Sequence, residues 1–394
     1  MKHILYLSYF YEPDLSAGSF RNTYLAKTLS KSLTEFTHIH LICTHPNRYA
    51  SHGKKVPDME DHGNLTIYRI RVPQHHNKFF KQLISFYYYQ RGVWRIIRKI
   101  KFHTIFVSSS KLFTAHLAYR ISKKTMAPYY LDLRDLFSEN LAEFIPYPRI
   151  AQVVSKFVRK YFEIPTFLNA KHISINSEGF RDSIPKNYRG KVSFFPNGID
   201  DLFYGWSQNP ELTTQRMIVT YAGNIGEAQA LHKIIPPLAD YLKRSHTFQI
   251  IGAGSAKHKL EAEIERYSLT NILIIDPVER EQLLKYYCNS HYLFLHLNDY
   301  KSLEKVLPSK LFEYGGGNIP ILAGVAGAAK KFMEDELKEN IFIFEPCNFE
   351  MLKEYMELHP YTIKFRMDFI KKYNRQYITY MMTESILSEF YGHR

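Results

Sequence analysis

Two residues set three apart carry the most chemistry in this chain. In Leu307-Pro308-Ser309-Lys310-Leu311-Phe312-Glu313-Tyr314, the proline suits the first turn of a helix, so Lys310 and Glu313 become neighbours on one helix face. A lysine at a helix N-terminus opposes the macrodipole. That cost is answered if an anionic diphosphate lies there, with Ser309 beside it. The carboxylate one turn later has the capacity to accept hydrogen bonds from the paired hydroxyls of a ribose. The same residue types also make an ordinary surface ion pair, worth a few tenths of a kcal/mol, and by themselves leave both readings open.

Glycines mark two further loops. Tyr221-Ala222-Gly223-Asn224-Ile225-Gly226-Glu227 follows an apolar run and precedes a helical pattern. Glycine there lets backbone N–H groups approach a phosphate at a helix N-terminus, or simply makes a tight turn. Ile251-Gly252-Ala253-Gly254 begins like a dinucleotide fingerprint, but the third glycine position holds Lys257, so the fingerprint fails. No GxxxxGK[ST] sequence occurs, which excludes a P-loop. The 18 histidines include no HExxH pair, so no metal is expected, and His116 reads as a satisfied helix residue.

These residues need elements to hold them, and the chain supplies strands and helices in alternation. Apolar runs at 2–10, 39–44, 65–72, 104–108, 128–133, 173–176 and 192–195 read as strands, with helices over 20–33, 113–123 and 150–169. The rhythm restarts at Met217, with strands at 217–222, 247–251, 272–276, 291–296 and 319–323. Helices at 229–244, 256–267, 279–289 and 308–314 separate them. Such alternation predicts an α/β protein of two Rossmann-like domains with parallel sheets. The Gly- and Pro-containing stretch 196–216 reads as the linker. The expected domains are 1–205 and 206–373, with a terminal amphipathic helix, 374–394, joining the first. Ligands in such sheets bind outside the carboxyl ends of the strands, and two facing domains leave a cleft.

Length and composition fit this picture: 394 residues suit two domains, and 45% hydrophobic residues can build a core. Three scattered cysteines form no disulfide framework, which suits a reducing compartment. No apolar run is long enough to span a membrane, and residues 4–11 read as a buried strand rather than a leader. The net charge of +14 is unevenly placed: residues 1–200 hold 30 basic and 14 acidic side chains, the rest 22 and 24. Between Asp61 and Asp132 stand 13 Lys or Arg and no acid. Lys78, Lys81, Arg91, Arg95, Arg98, Lys99 and Lys101 are interleaved there with Phe79-Phe80, Phe86 to Tyr89 and Trp94. That mixture suits an anionic lipid surface, a nucleic acid or a solvated helix face.

Taken as an ordered set, the motifs resemble the retaining glycosyltransferases of the GT-B fold, family 4. More narrowly, the chain is similar to bacterial transferases of N-acetylated deoxyhexosamines in surface polysaccharide assembly. The pieces are the Gly18 loop, Asp132-Leu133-Arg134-Asp135, Pro196-Asn197-Gly198-Ile199-Asp200, the Gly223 loop, Gly252-x-Gly254 and Pro308-Ser309-Lys310-x-x-Glu313-Tyr314, spread over nearly the whole chain. The resemblance implies a nucleotide-sugar donor, UDP-linked, held in the C-terminal domain. Glu313 would hold the ribose, and Lys310 with the backbone of Gly223 to Gly226 would face the diphosphate. Asn224, Glu227, Gly252 and Ser309 would complete the donor site. Gly18 and Ser19 would approach the diphosphate or acceptor, and Asp135 would lie near the acceptor. Asp135 and Lys310 are the implied catalytic residues.

The resemblance implies neither metal nor cofactor, since fixed positive charge stabilises the leaving diphosphate. It also implies a lipid-linked saccharide acceptor and a cytoplasmic enzyme peripheral to the inner membrane face, with no nucleic acid partner. Three positions depart from the family pattern. Asn224 and Gln229 stand where many members carry Arg and Lys, Lys305 stands in place of the motif's first Glu beside Glu304, and Asn318 replaces a Gly. A nucleotide-sugar 2-epimerase of the same fold and a non-catalytic binding protein are the rival readings.

Overall fold

The computed structural model describes residues 2–392 except 15, 34–36, 47–54, 74–78, 110–111, 137, 140–144 and 146. The chain divides into two compact units, residues 1–197 with 377–394, and residues 198–376. The first break thus falls at Asn197–Gly198, inside the Pro-Asn-Gly motif, rather than at 205–206.

The first unit runs β1 (Lys2–Leu7), α1 (Ala17–Ser32), β2 (Thr37–Thr44), β3 (Met59–Asp61), β4 (Leu65–Ile70), α2 (Phe79–Ile97) and β5 (Thr104–Ser108). It continues through α3 (Leu112–Thr125), β6 (Tyr129–Leu133), α4 (Pro148–Val158), α5 (Ile164–Leu168), β7 (His172–Ile175) and β8 (Lys191–Phe194). Its sheet has the order β3-β4-β2-β1-β5-β6-β7-β8 and is parallel except for β3. Strands such as Ile4–Leu7 and Ile105–Val107 are wholly buried, as a parallel sheet covered on both faces requires. Strand order reverses between β1 and β5.

The second unit runs β9 (Met217–Ala222), α6 (Leu231–Tyr241), β10 (His246–Ile251), α7 (Lys257–Arg266), β11 (Ile272–Ile275), α8 (Arg280–Cys288) and β12 (Tyr292–His296). Then follow α9 (Lys310–Gly315), β13 (Ile321–Gly324), α10 (Gly327–Glu336), β14 (Ile341–Phe344), α11 (Phe349–Leu358) and α12 (Met367–Lys372). The all-parallel sheet has the order β11-β10-β9-β12-β13-β14 and reverses between β9 and β12. The last helix, α13 (Arg375–Tyr391), sends Met382 and Ile386 into the core of the first unit. There Tyr130 and Ser385 share a 3.0 Å hydroxyl bond, and Lys171 and His172 meet Glu389.

Several elements differ from the sequence expectation. Elements β3, β14 and α10 to α12 lie where the sequence reading placed none. The basic aromatic stretch is a helix, α2, whose inner stripe is Ser85, Tyr89, Val93 and Ile97. The Ser85 hydroxyl meets Tyr9 at 2.6 Å, while Tyr89 donates to the carbonyls of Ser8 and Ile42. The helix expected over 150–169 is interrupted by a π turn at Arg159–Glu163. Among the described residues no helix is long and apolar enough to cross a membrane.

Candidate functional site

In an open parallel sheet the crevice forms where strand order reverses, outside the carboxyl ends. In the second unit that point is the exit of β9 and β12, and both exits carry the residues singled out above. The Gly223 loop is tied down on one side by its neighbour: Gly223 N–H donates to Ile251 O (2.9 Å), Ile225 N–H to Ala253 O (3.0 Å) and Ala256 N–H to Ile225 O (2.9 Å). A Cβ on Gly252 would overlap the Gly223 carbonyl, and one on Gly254 would overlap the Ile225 backbone. The Gly-x-Gly that fails as a dinucleotide fingerprint therefore serves as the bed on which the Gly223 loop lies.

The other side is held from β12. His296 Nδ1 meets Gln229 O at 2.7 Å, and its Nε2 accepts the Cys347 N–H at 2.9 Å. An acceptor Nε2 leaves the proton on Nδ1, which donates to Gln229. Burial, ahead of the nearby Lys233 charge, pulls this imidazole down to about 4, so it is neutral at pH 7. Asn298 adds two more ties, its N–H to Ala228 O and its side-chain amide to Glu227 O, both 2.8 Å.

The Lys310 helix, α9, is fixed to the same strand end, because Tyr314 Oη accepts the N–H of Ala222, the last residue of β9 (3.1 Å). Trp206 Nε1–H donates to Glu313 O (3.0 Å) and holds the helix from behind. Lys310 Nζ lies 2.7 Å from Glu313 Oε2, as their spacing predicts. A third group completes the cluster: Tyr287 of α8 receives a 3.2 Å bond from Lys310 and donates at 3.3 Å to Glu313 Oε2. Burial, then the Glu313 and Tyr314 charges, push the Tyr287 phenol well above its ordinary range, so it stays a proton donor. Nothing in local spacing announces Tyr287, since it comes from another helix. Glu313 is 9% exposed, a buried carboxylate held by one ammonium and one phenol.

The remaining donor-loop residues are placed as follows. Asn224 Nδ2 donates to Gln229 Oε1 at 2.9 Å, a neutral pair at the two positions where the family pattern has cations. Glu227 pairs with Lys259 at 2.6 Å, and although burial raises its pKa, that hydrogen bond and charge lower it overall. Ser309 precedes α9 without a side-chain cap. Glu304 faces Lys301 at 3.1 Å rather than joining the Lys310 cluster.

In the first unit, Gly18 and Ser19 lie buried in the opening turn of α1, where Ser16 Oγ accepts the Ser19 N–H at 3.1 Å. Asp135 is exposed just past the end of β6, its Oδ1 accepting the Leu136 N–H at 2.9 Å. Its neighbour Asp132 is fully buried in a two-point fork with Arg21, at 3.1 and 3.2 Å, and also accepts from Ser108 and Ser174. Lys81, Arg91, Arg95, Arg98, Lys99 and Lys101 are all exposed on or after α2, and Lys78 lies outside the described residues. Among the described residues no group of three or more His, Cys, Asp or Glu is arranged to hold a metal.

No family model and no curated protein matches the sequence. Solved structures match throughout. Sucrose-phosphate synthase from Thermosynechococcus elongatus is similar over 100% of both chains, with a TM-score of 0.75 at 11% identity. HepE of Anabaena, solved with UDP and glucose, is similar over 98% of this chain and 100% of its own, at 0.68 and 12%. WaaG, a glycosyltransferase involved in lipopolysaccharide biosynthesis, covers 99% of this chain and 100% of its own, at 0.67 and 13%. Identities this low establish the fold, which is the GT-B fold of glycosyltransferases.

Proposed function

We propose that this protein is a retaining, metal-independent glycosyltransferase that takes a UDP-linked sugar as donor. The observation that carries the reading is the Lys310–Tyr287–Glu313 cluster, bolted to the strand end that launches the Gly223 loop. A ribose edge would replace Tyr287 or Lys310 at the Glu313 carboxylate, freeing the ammonium for the diphosphate. HepE is described in complex with UDP and glucose, which makes a uridine nucleotide the first ligand to try. Backbone N–H groups of the Gly223 loop would share the anionic charge with Lys310.

In the reaction, the bond from the anomeric carbon to the diphosphate breaks and a bond to an acceptor oxygen forms on the same face. The acceptor proton passes to the departing phosphate oxygen, so no protein nucleophile is required. Asp135 would orient the acceptor. The acceptor we favour is a lipid-linked saccharide in bacterial surface polysaccharide assembly. It would be met at the inner membrane surface by the basic outer face of α2. On that face Ile84, Tyr87 and Tyr88 are exposed among Lys81, Arg91 and Arg95, and the Arg91 guanidinium lies 5.8 Å from the Tyr87 ring centroid.

The test is thermal unfolding with UDP, GDP, dTDP and NAD, for wild type and Glu313→Ala. A ligand at about 100 times its Kd should raise the midpoint by roughly 5 °C or more. A rise with one nucleoside diphosphate, lost in Glu313→Ala, is expected. No rise with any of the four would overturn the donor assignment.

A further inference from the structure

A second apolar surface lies on the first unit, outside the charge run between Asp61 and Asp132. Helix α4 and the π turn after it hold Ile150, Val153, Phe157 and Tyr161, with Tyr147 at the N-cap, each 53–68% exposed. Steps of three, three, four and four residues put these side chains on one helix stripe. The opposite side is anchored. Ala151 and Val158 are buried, Ser155 Oγ donates to Ser138 O, and Glu163 accepts the Ser138 N–H (3.0 Å) and hydroxyl (2.6 Å). Packing thus fixes the orientation of the segment, and the apolar stripe is the side left over.

We infer that this segment lies in the plane of an anionic membrane as an interfacial helix, its stripe inserted below the headgroups. Three observations favour lipid over a protein partner or a second copy. First, exposed Arg149, Lys156 and Lys160 recur at helical spacing along one edge of the stripe, and no acid occurs from Tyr147 to Phe162. Two copies meeting through this face would bring those like charges together. Second, tyrosine stands at both ends of the stripe, with purely apolar side chains between, which is how interfacial segments distribute aromatic residues. Third, the segment is packed through rings against the inner side of α2, so the stripe and the basic helix are held in one body. A chain of ring contacts runs from Phe86 to Phe113 (5.3 Å), to Phe162 (5.7 Å), to Phe157 (6.2 Å). The basic face of α2 supplies long-range attraction, and the α4 stripe supplies the apolar area that attraction alone lacks.

The inference deepens the membrane part of the reading above and does not depend on the donor assignment. Flotation with phosphatidylcholine vesicles, with and without 30% phosphatidylglycerol by design, tests it on the full chain. Wild type should float with the anionic vesicles. Ile150→Asp/Phe157→Asp should lower the partition coefficient at least about tenfold while keeping the wild-type melting midpoint. Ile150→Ser/Phe157→Ser covers the case of an unfolded aspartate variant. Phe157→Trp should gain a fluorescence blue shift, and quenching by chain-brominated lipid, on anionic vesicles. Binding unchanged in both double variants would overturn the inference. So would a lipid-free dimer that these substitutions dissolve. The midpoint rise with UDP should persist in every variant; its absence in wild type would count against the donor assignment alone.

Discussion

At the residue scale, the chemistry of the donor site rests on how a buried carboxylate is held and made available. Glu313 is answered by Lys310 at 2.7 Å and by the Tyr287 hydroxyl at 3.3 Å. Removing the phenol in Tyr287→Phe leaves the ammonium in place. Since the ribose would take the place of Tyr287 at Glu313, loss of the phenol should change nucleotide affinity by less than about 1 kcal/mol. Glu313→Ala removes the ribose acceptor itself and should cost about 1.5–3 kcal/mol, as hydrogen bonds to charged groups do. Calorimetric titration with UDP would rank the two, and equal losses would mean that Glu313 does not hold the ligand. In the first unit the corresponding buried carboxylate is structural. Arg21→Ala would leave the buried Asp132 without its cation, held only by the Ser108 and Ser174 hydroxyls, costing about 3–5 kcal/mol in urea denaturation. Arg21→Met combined with Asp132→Leu should recover part of that loss, because an apolar pair removes the stranded charge.

At the element scale, the second unit was legible as far as β13, but β14 and α10 to α12 beyond it were not. Its short apolar runs, each closed by a turn signal, read as strands because a parallel sheet buries both faces. Lys310 and Glu313 could be paired from spacing, since helix geometry alone brings them together. Tyr287 could not, because the contact depends on how α8 packs. A helix was among the readings of the basic stretch, but the bounds of α2 were not legible, because its buried stripe begins with Ser85, a polar residue satisfied by Tyr9, while Ile84, Tyr87 and Tyr88 point outward. Hydrophobic periodicity likewise finds α4 but does not say which side of it meets the protein. The Gly252-x-Gly254 loop shows the same limit, because its glycines answer to another loop's backbone. Gly254→Ala should therefore cost about 2 kcal/mol or more and abolish nucleotide binding, as overpacking against backbone does. Gly63→Ala is the control. That glycine has φ +76° but nothing within 4 Å of an added Cβ, so only the left-handed strain of about 1–2 kcal/mol applies. Melting midpoints with and without UDP separate the two effects.

At the scale of the whole molecule, acid stability follows from three imidazoles that the fold keeps neutral. Burial is the first cause in each case, and His40, His246 and His296 are all drawn down to about 4. An unfolded histidine takes up its proton near pH 6.5. Between those two values the unfolded chain binds more protons than the native one, so stability falls as pH falls from about 6.5 towards 4. His296 is the cleanest case, at 1% exposure, with Phe294 and Phe344 stacked about it and Lys233 the charge that acts on it. From pH 7.5 to pH 5 it alone should remove about 2 kcal/mol. Protonating His296 would also place a charge beneath the Gly223 loop, where it now joins the Gln229 carbonyl to the Cys347 N–H beyond β14. His296→Gln can donate and accept at the same two points without titrating. Its stability should start lower at pH 7.5 but decline less towards pH 5 than that of wild type, measured by urea denaturation at both values. A parallel decline in the two proteins would mean that His296 does not contribute to the acid response.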